Sequence, residues 1–267
     1  MRRIGRLRYN EVAPSTGGRG AGTLLLVHGF PLNPDMWQPQ HEMAARGWRV
    51  IVPELRGFGS AAEADPPTAS IDDYAGDTID LLDKLKTADA VVCGLSMGGY
   101  IAFAMYRHAA TYFRGLVLAD TKSQGDTPEA VAGRKSMQQL VREKGPLAVA
   151  DALLPKLLCD ATRATNPSLV ENLRQQITRN PVEGIAGALQ ALMTRPDSTP
   201  MLSTIRIPTL IVVGDQDAIT PPPLSEQMHR DIAGSELVVV QGAGHMSNME
   251  QPAAFNAALG RFLDRRV

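Results

Sequence analysis

The sequence predicts an α/β fold, a mostly parallel and doubly wound sheet with a helical cap inserted into it. Three observations lead there. Short runs rich in Val, Leu and Ile alternate with longer stretches of helical period. Those runs are apolar at successive positions, as strands are when helices cover both faces of a sheet. One block, residues 121–203, interrupts the alternation with helical patterns alone.

Taken in order, Leu7–Asn10 reads as an edge strand. Thr23–His28, Arg49–Pro53, Ala90–Gly94, Gly115–Ala119, Thr209–Gly214 and Glu236–Val240 read as core strands. Asp35–Arg46, Ile71–Lys86, Met97–Ala110, Pro223–Ile232 and Pro252–Asp264 read as the helices between and after them. Within the inserted block, Pro128–Glu143, Gly145–Leu158, Ser168–Thr178 and Pro181–Met193 are helical, with proline or glycine at their boundaries. Residues 1–120 and 204–267 then form a core domain, and residues 121–203 a cap over one end of the sheet.

Composition narrows the function classes. The chain has 267 residues, of which 44% are hydrophobic and 21% charged, enough to bury a core without disulfides. A formal net charge of −1 gives no electrostatic footprint for nucleic acid or anionic lipid. The basic start, Met1 to Arg6, is followed by no signal-length apolar run, and no stretch approaches a membrane span. Cys93 and Cys159 sit in no metal-ligand spacing and read as buried thiols of a reducing cytoplasm. No dinucleotide fingerprint and no metal-binding cluster is present, so no cofactor or metal is expected.

The strongest chemical signal is Gly94-Leu95-Ser96-Met97-Gly98-Gly99, G-x-S-x-G between a strand and a helix. Flanking glycines let strand and helix approach, which exposes the Ser96 hydroxyl beside the N–H groups of the helix start. The plainer alternative is an N-cap serine. A hydroxyl nucleophile needs a base. Of five histidines, His41, His108 and His229 lie in polar helical patterns and read as solvated. His28 ends a strand and reads as a packed residue beneath its loop. His245, in the glycine-flanked loop after Glu236–Val240, is the candidate base. A carboxylate must orient it. Asp215, Asp217 and Asp120 all end strands and are candidates. A tetrahedral intermediate needs two preorganised donors, which the backbone N–H groups of Phe30 and Met97 can supply; Pro31 has none.

With HGFPLNPDMW, PELRGFGS, GLSMGG, GDQDAITPP and GAGHMSNMEQP in order, the chain resembles the α/β-hydrolase superfamily over nearly its whole length. Within it, the sequence is similar to small bacterial esterases, 3-oxoadipate enol-lactonases and cofactor-free haloperoxidase-type perhydrolases. The resemblance implies that Asp217, just before the x-x-T-P-P stretch, is the acid, in the chain order Ser96, Asp217, His245. It implies that Arg56 and Gly57 support the site, with Glu54 where aspartate is more usual. Serine rather than aspartate at the nucleophile favours acyl transfer over alkyl displacement.

The resulting expectation is a carboxylic ester hydrolase acting through an acyl-enzyme. Its partner is a small-molecule ester or lactone, with no nucleic acid and no membrane; a homo-oligomer is compatible with this reading. Phe30, Met97, Pro31 and Ile219, with Met137 and Leu153 from the cap, are expected to line the pocket. Three alternatives stand beside it. An enol-lactonase needs an inward cation, for which the cap offers Arg134, Lys135, Arg142, Arg163 and Arg174. A perhydrolase side activity would use Pro31 to hold the Phe30 carbonyl toward the entering nucleophile. A non-catalytic ligand receptor is opposed by the complete Ser, Asp and His set.

Overall fold

The computed structural model describes residues 1–5, 7–15, 21–59 and 70–267, and of Arg266 the backbone alone. Arg6 and Ser60, quoted above with their segments, lie outside the described residues. The eight strands among the described residues are β1 (Arg2–Ile4), β2 (Leu7–Val12), β3 (Gly22–Val27), β4 (Trp48–Glu54), β5 (Ala90–Leu95), β6 (Phe113–Ala119), β7 (Thr209–Gly214) and β8 (Glu236–Val240). They form one sheet in the order β1-β2-β4-β3-β5-β6-β7-β8. From β4 to β8 every pairing is parallel, and β2 runs antiparallel to both β1 and β4. This is the α/β-hydrolase fold.

Burial of both faces explains the unbroken apolar runs. In β3, Leu24 and Leu26 enter one core, while Leu25 and Val27 enter the other. The first core is closed by the 3-10 segment Pro34–Arg46 and by α9 (Pro252–Arg266), through Trp37, Phe255 and Phe262. The second is closed by α1 (Ile71–Lys84), α2 (Met97–Ala109) and α7 (Pro222–Asp231), through Tyr74, Phe103 and Met228.

Between β6 and β7 lie α3 (Pro128–Leu157), α4 (Asp160–Thr165), α5 (Pro167–Thr178) and α6 (Val182–Met193). Val141, Leu154, Leu173 and Leu189 of this block join the first core, and Leu192 joins the second. One backbone approach is very close. A Cβ on Gly184 of α6 would stand 1.8 Å from the Gly57 carbonyl oxygen, so only glycine lets α6 meet the loop after β4.

Several expectations are corrected. Leu7–Asn10 is not the sheet edge, because the polar Arg2–Ile4 adds a strand outside it. The helix read over Asp35–Arg46 is present as the 3-10 helix Pro34–Arg46; Pro39 inside it lacks the N–H an α-helix would need there. Pro128–Glu143 and Gly145–Leu158 stand as the two helices read from the sequence, joined across a kink at the non-helical Gly145 (φ 77°, ψ 177°). The short α4 had no periodicity long enough to read. The edge strand β8 is only partly covered, with Val239 37% exposed. His41 is half-buried rather than solvated, whereas His108 and His229 are exposed.

Candidate active site

The Ser96 turn is built by steric exclusion. A Cβ on Gly94 would lie 2.1 Å from the Gly98 carbonyl oxygen, and one on Gly98 would lie 2.2 Å from that of Val27. The two glycines therefore press β5, α2 and β3 together. Ser96 takes the left-handed φ of 54° (ψ −114°), rare for a residue with a side chain. The strain is held from three sides: its N–H donates to Ala119 (3.0 Å), and its carbonyl accepts from Gly99 N (2.9 Å) and Thr121 Oγ1 (2.8 Å). Met97 N, the first amide of α2, is one of the donors a helix start leaves unpaired within itself.

Asp217 lies in the turn after β7. Its Oδ1 accepts from the amides of Ile219 (2.8 Å) and Thr220 (2.9 Å), and its Oδ2 from Thr220 Oγ1 (2.7 Å). Oδ2 also meets His245 Nδ1 at 2.8 Å, with both side chains almost fully buried. Burial works against the Asp217 charge, yet His245 and the Thr220 hydrogen bonds outweigh it and hold the carboxyl below its usual range. For His245 burial again opposes charging, and Asp217, then Asp120 and Glu250, raise it above an ordinary histidine. Such a pair fixes the tautomer, so Nδ1 carries the proton and Nε2 is left to accept one.

The loops carrying the pair are laced together. A Cβ on Gly214 would stand 2.1 Å from the Gly244 carbonyl oxygen, Gln216 N donates to Ala243 O (2.9 Å), and Ala243 N donates to Asp215 Oδ1 (3.2 Å). Asp120 is buried at the end of β6, with φ 42°. Its Oδ1 accepts from Gly214 N (2.8 Å) and its Oδ2 from Ser247 Oγ. Burial, then the Asp217 charge, pushes its carboxyl well above the usual range. The three aspartates are thus distinguished by partner, and Asp217 alone among them bonds the His245 ring.

His28 is fully buried, receives the Leu55 amide on Nε2 (3.1 Å) and stands edge-on to Phe58. Burial lowers it to about 4. Its position beneath the loop is that of a packed, neutral imidazole. Arg56 pairs with Asp77 (2.6 Å), which anchors the loop carrying Gly57 to α1.

Ser96 and His245 open into one cavity of about 210 Å³. From the sheet side Phe30, Met97, Tyr100 and Ile219 line it; from the helical block come Met137, Leu153, Leu189 and Leu192. Pro31, expected in the pocket, is not among the lining residues; it is buried, and its carbonyl accepts from Asn180 Nδ2 (2.6 Å). Of Arg134, Lys135, Arg142, Arg163 and Arg174, only Arg134 lines the cavity; Lys156, on the same helical block, also does. Arg163 and Arg174 pair with Asp160 and Asp151. Among the described residues no three His, Cys, Asp or Glu side chains gather where a metal ion could be held.

Two further residues, each inside a segment quoted from the sequence but given no role there, join this site. Thr220 is buried against both members of the His–Asp pair. Glu250, at the end of the turn α8 (Ser247–Glu250), accepts Gly244 N on Oε1 (2.8 Å) and Cys159 N on Oε2 (2.9 Å). It ties the His245 loop to the helical block. An acid three residues into a short turn reads as surface charge until those two loops are seen together.

The profile of the Alpha/beta hydrolase family matches residues 24–258. The 3-oxoadipate enol-lactonase 2 of Acinetobacter baylyi is 31% identical over 242 residues, covering 91% of this chain and 88% of its own. Among solved structures, a thermophilic esterase from Thermogutta terrifontis superposes with a TM-score of 0.90 at 40% identity, over 97% of this chain and 93% of its own. The enol-lactonase from Burkholderia xenovorans LB400 superposes with a TM-score of 0.88 at 28% identity, over 97% and 96%.

Proposed function

The chain belongs to the alpha/beta hydrolase family, and on that premise we propose that it hydrolyses short carboxylic esters and lactones through an acyl-enzyme on Ser96. One observation carries the reading. A serine on a strained strand-to-helix turn faces the same cavity as an imidazole whose far nitrogen is held by a buried aspartate at 2.8 Å.

In this reading Ser96 Oγ attacks the carbonyl carbon while His245 Nε2 takes its proton. Asp217 stabilises the imidazolium as it forms. The N–H groups of Met97 and Phe30 receive the oxyanion, in a setting where water competes little. Collapse of the tetrahedral intermediate expels the alcohol, which takes the proton back from His245. In a lactone the released hydroxyl stays attached to the acyl group. Water then attacks the acyl carbon and gives a proton to His245; the acyl–Oγ bond breaks, Ser96 Oγ takes that proton back and the acid leaves. A 210 Å³ cavity lies below the volume of typical drug-sized sites, so the acyl group is short. The names of the relatives, esterase and enol-lactonase, support both substrate classes.

The test is turnover of a 4-nitrophenyl ester series and a lactone panel by wild type and Ser96→Ala. The variant is expected to stay folded and to lose about six powers of ten in kcat, as loss of a triad nucleophile does. A small sulfonyl fluoride should label Ser96 alone. Retention of more than about one per cent of wild-type turnover would remove Ser96 from the role.

A further inference from the structure

The segment HGFPLNPDMW ends in two fully buried residues, Met36 and Trp37, which the acyl-enzyme chemistry does not use. Gly29, at the start of the same segment, lies beyond the last residue of β3. Its buried N–H donates to Met36 Sδ at 3.3 Å. A core methionine ordinarily fills an irregular gap, and its thioether is a weak acceptor. Here that acceptor meets the amide one residue before Phe30, whose own N–H receives the oxyanion in the proposed mechanism.

The Gly29 carbonyl is held as well. His28 Nε2 receives the Leu55 amide, so the ring proton is on Nδ1, which donates to Gly29 O at 3.1 Å. Leu32 N donates to the same oxygen at 3.0 Å. A trans peptide points its C=O and its N–H in opposite directions, so two bonds to Gly29 O turn the Phe30 N–H to the other side. Met36 fixes the peptide before Gly29, and His28 with Leu32 fixes the peptide after it. The loop also rests on the nucleophile: a Cβ on Gly29 would stand 3.4 Å from Ser96 Cβ. A shift of Gly29 is therefore a shift of the Phe30 donor against Ser96.

The main chain of Met36 is tied elsewhere. Its carbonyl accepts from Asn248 Nδ2 (2.9 Å), in the turn α8 that follows His245. Asn248 exchanges two hydrogen bonds with Gln40: Asn248 Nδ2 donates to Gln40 Oε1 and Gln40 Nε2 to Asn248 O, each at 3.1 Å. Gln40 Nε2 also donates to Asn256 Oδ1 (2.8 Å). All three amide side chains are buried, where such bonds are strong and one left unmade is costly. Met36 thus reaches the oxyanion loop through its sulfur and the His245 turn through its carbonyl.

We propose that Met36 is a positioning residue of the hydrolysis: its thioether holds the oxyanion loop so that the Phe30 N–H stays in register with Ser96 and His245. The proposal rests on the reading of Phe30 N as an oxyanion donor. Removing such a donor outright costs about 10²–10³ in kcat. Displacing it costs part of that, while the contacts that bind the substrate in its ground state stay as they are.

The experiment measures hydrolysis of 4-nitrophenyl butanoate and inhibition by an alkyl trifluoromethyl ketone, whose hemiketal with Ser96 carries an oxyanion. Met36→Leu nearly keeps the volume and removes the acceptor. It is expected to lower kcat about tenfold with KM unchanged, and to weaken the ketone by a similar factor. Met36→Gln offers a carbonyl oxygen in place of the sulfur. It should recover most of the kcat and ketone affinity while its buried NH₂ lowers the melting temperature, an order that loss of packing alone would not produce. Met43→Leu, the same exchange at a buried methionine of the same 3-10 segment, should change neither kcat nor ketone affinity. Asn248→Ala cuts the other end of the tie and should lower kcat, so the coupling is read even where a Met36 variant fails to fold. Unchanged kcat and ketone affinity in Met36→Leu, or a Met36→Gln no more active than Met36→Leu, would overturn the role of Met36 and keep the hydrolase reading. A wild type that neither turns over the ester nor binds the ketone would overturn the hydrolase reading and the proposal with it.

Discussion

His245 and Asp217 show how two buried charges set each other's chemistry. Each is opposed by burial and sustained by the other. His245 is therefore protonated to a higher pH than an ordinary histidine, and it can accept the serine proton only when neutral. The ascending limb of kcat/KM against pH should have its midpoint above 6.5, the histidine reference. In Asp217→Asn the raising partner is gone while burial remains, so the midpoint should move down. The same substitution should lower kcat by about three to four powers of ten with little change in KM. Asp120→Asn should cost much less, since its carboxyl bonds Gly214 and Ser247 rather than the ring. A crippled Asp120→Asn beside an active Asp217→Asn would transfer the acid role to the strand before. Residue identity was readable here because the turn chemistry is local: Gly94 and Gly98 announce a close crossing, and G-x-S-x-G between a strand and a helix has few other uses. The choice among three aspartates was not local. It came from the family resemblance, since the hydrogen bonds that separate them cross from one strand end to another.

The elements obeyed the same division. Central strands were legible because helices cover both their faces, which leaves apolar runs such as Leu24–Val27. Edge pieces were not: Arg2–Ile4 is three residues with two arginines, and its place depends on pairing with β2. The helical periods of the inserted block could be counted, and Gly145 marked the break between two of them; the direction in which the second half leaves could not be read, because packing sets it. Lys156 carries no signal of its own, because a lysine in a helical period reads as solvated and this one is exposed as well as lining the cavity. The sharpest element-level prediction concerns α6. Gly184→Ala would place a Cβ within 1.8 Å of the Gly57 oxygen, a backbone atom that cannot swing aside. Displacing α6 should cost at least about 1–3 kcal/mol, read as a melting temperature several degrees lower. Leu189 and Leu192 ride on the same helix and line the cavity, so acyl-length preference should shift with it. An unchanged melting temperature and acyl profile would mean that the contact relaxes freely.

At the scale of the whole molecule, the sheet holds Ser96, Asp217 and His245, and the inserted helices supply most of the apolar wall and both cations. The two halves meet at Glu250, whose carboxylate spans from Gly244 to Cys159. Glutamine at 250 keeps one acceptor oxygen and must turn an N–H₂ toward one of those amides. Glu250→Gln should therefore cost about 1.5–3 kcal/mol, as loss of a hydrogen bond to a charged group does, and lower kcat along with the melting temperature. Loss of stability without loss of kcat would show that the His245 loop keeps its place unaided. The tie also bears on inheritance. Helices over an active site are the part of such a chain freest to diverge, and a natural target for grafting a new specificity. Here the graft cannot be a clean exchange. Residues 121–203 brought from a relative need not place a backbone amide where Cys159 N now stands, and a mismatch would be felt at the His245 loop before any substrate entered. Lineages that trade this block should be found to trade residue 250 with it.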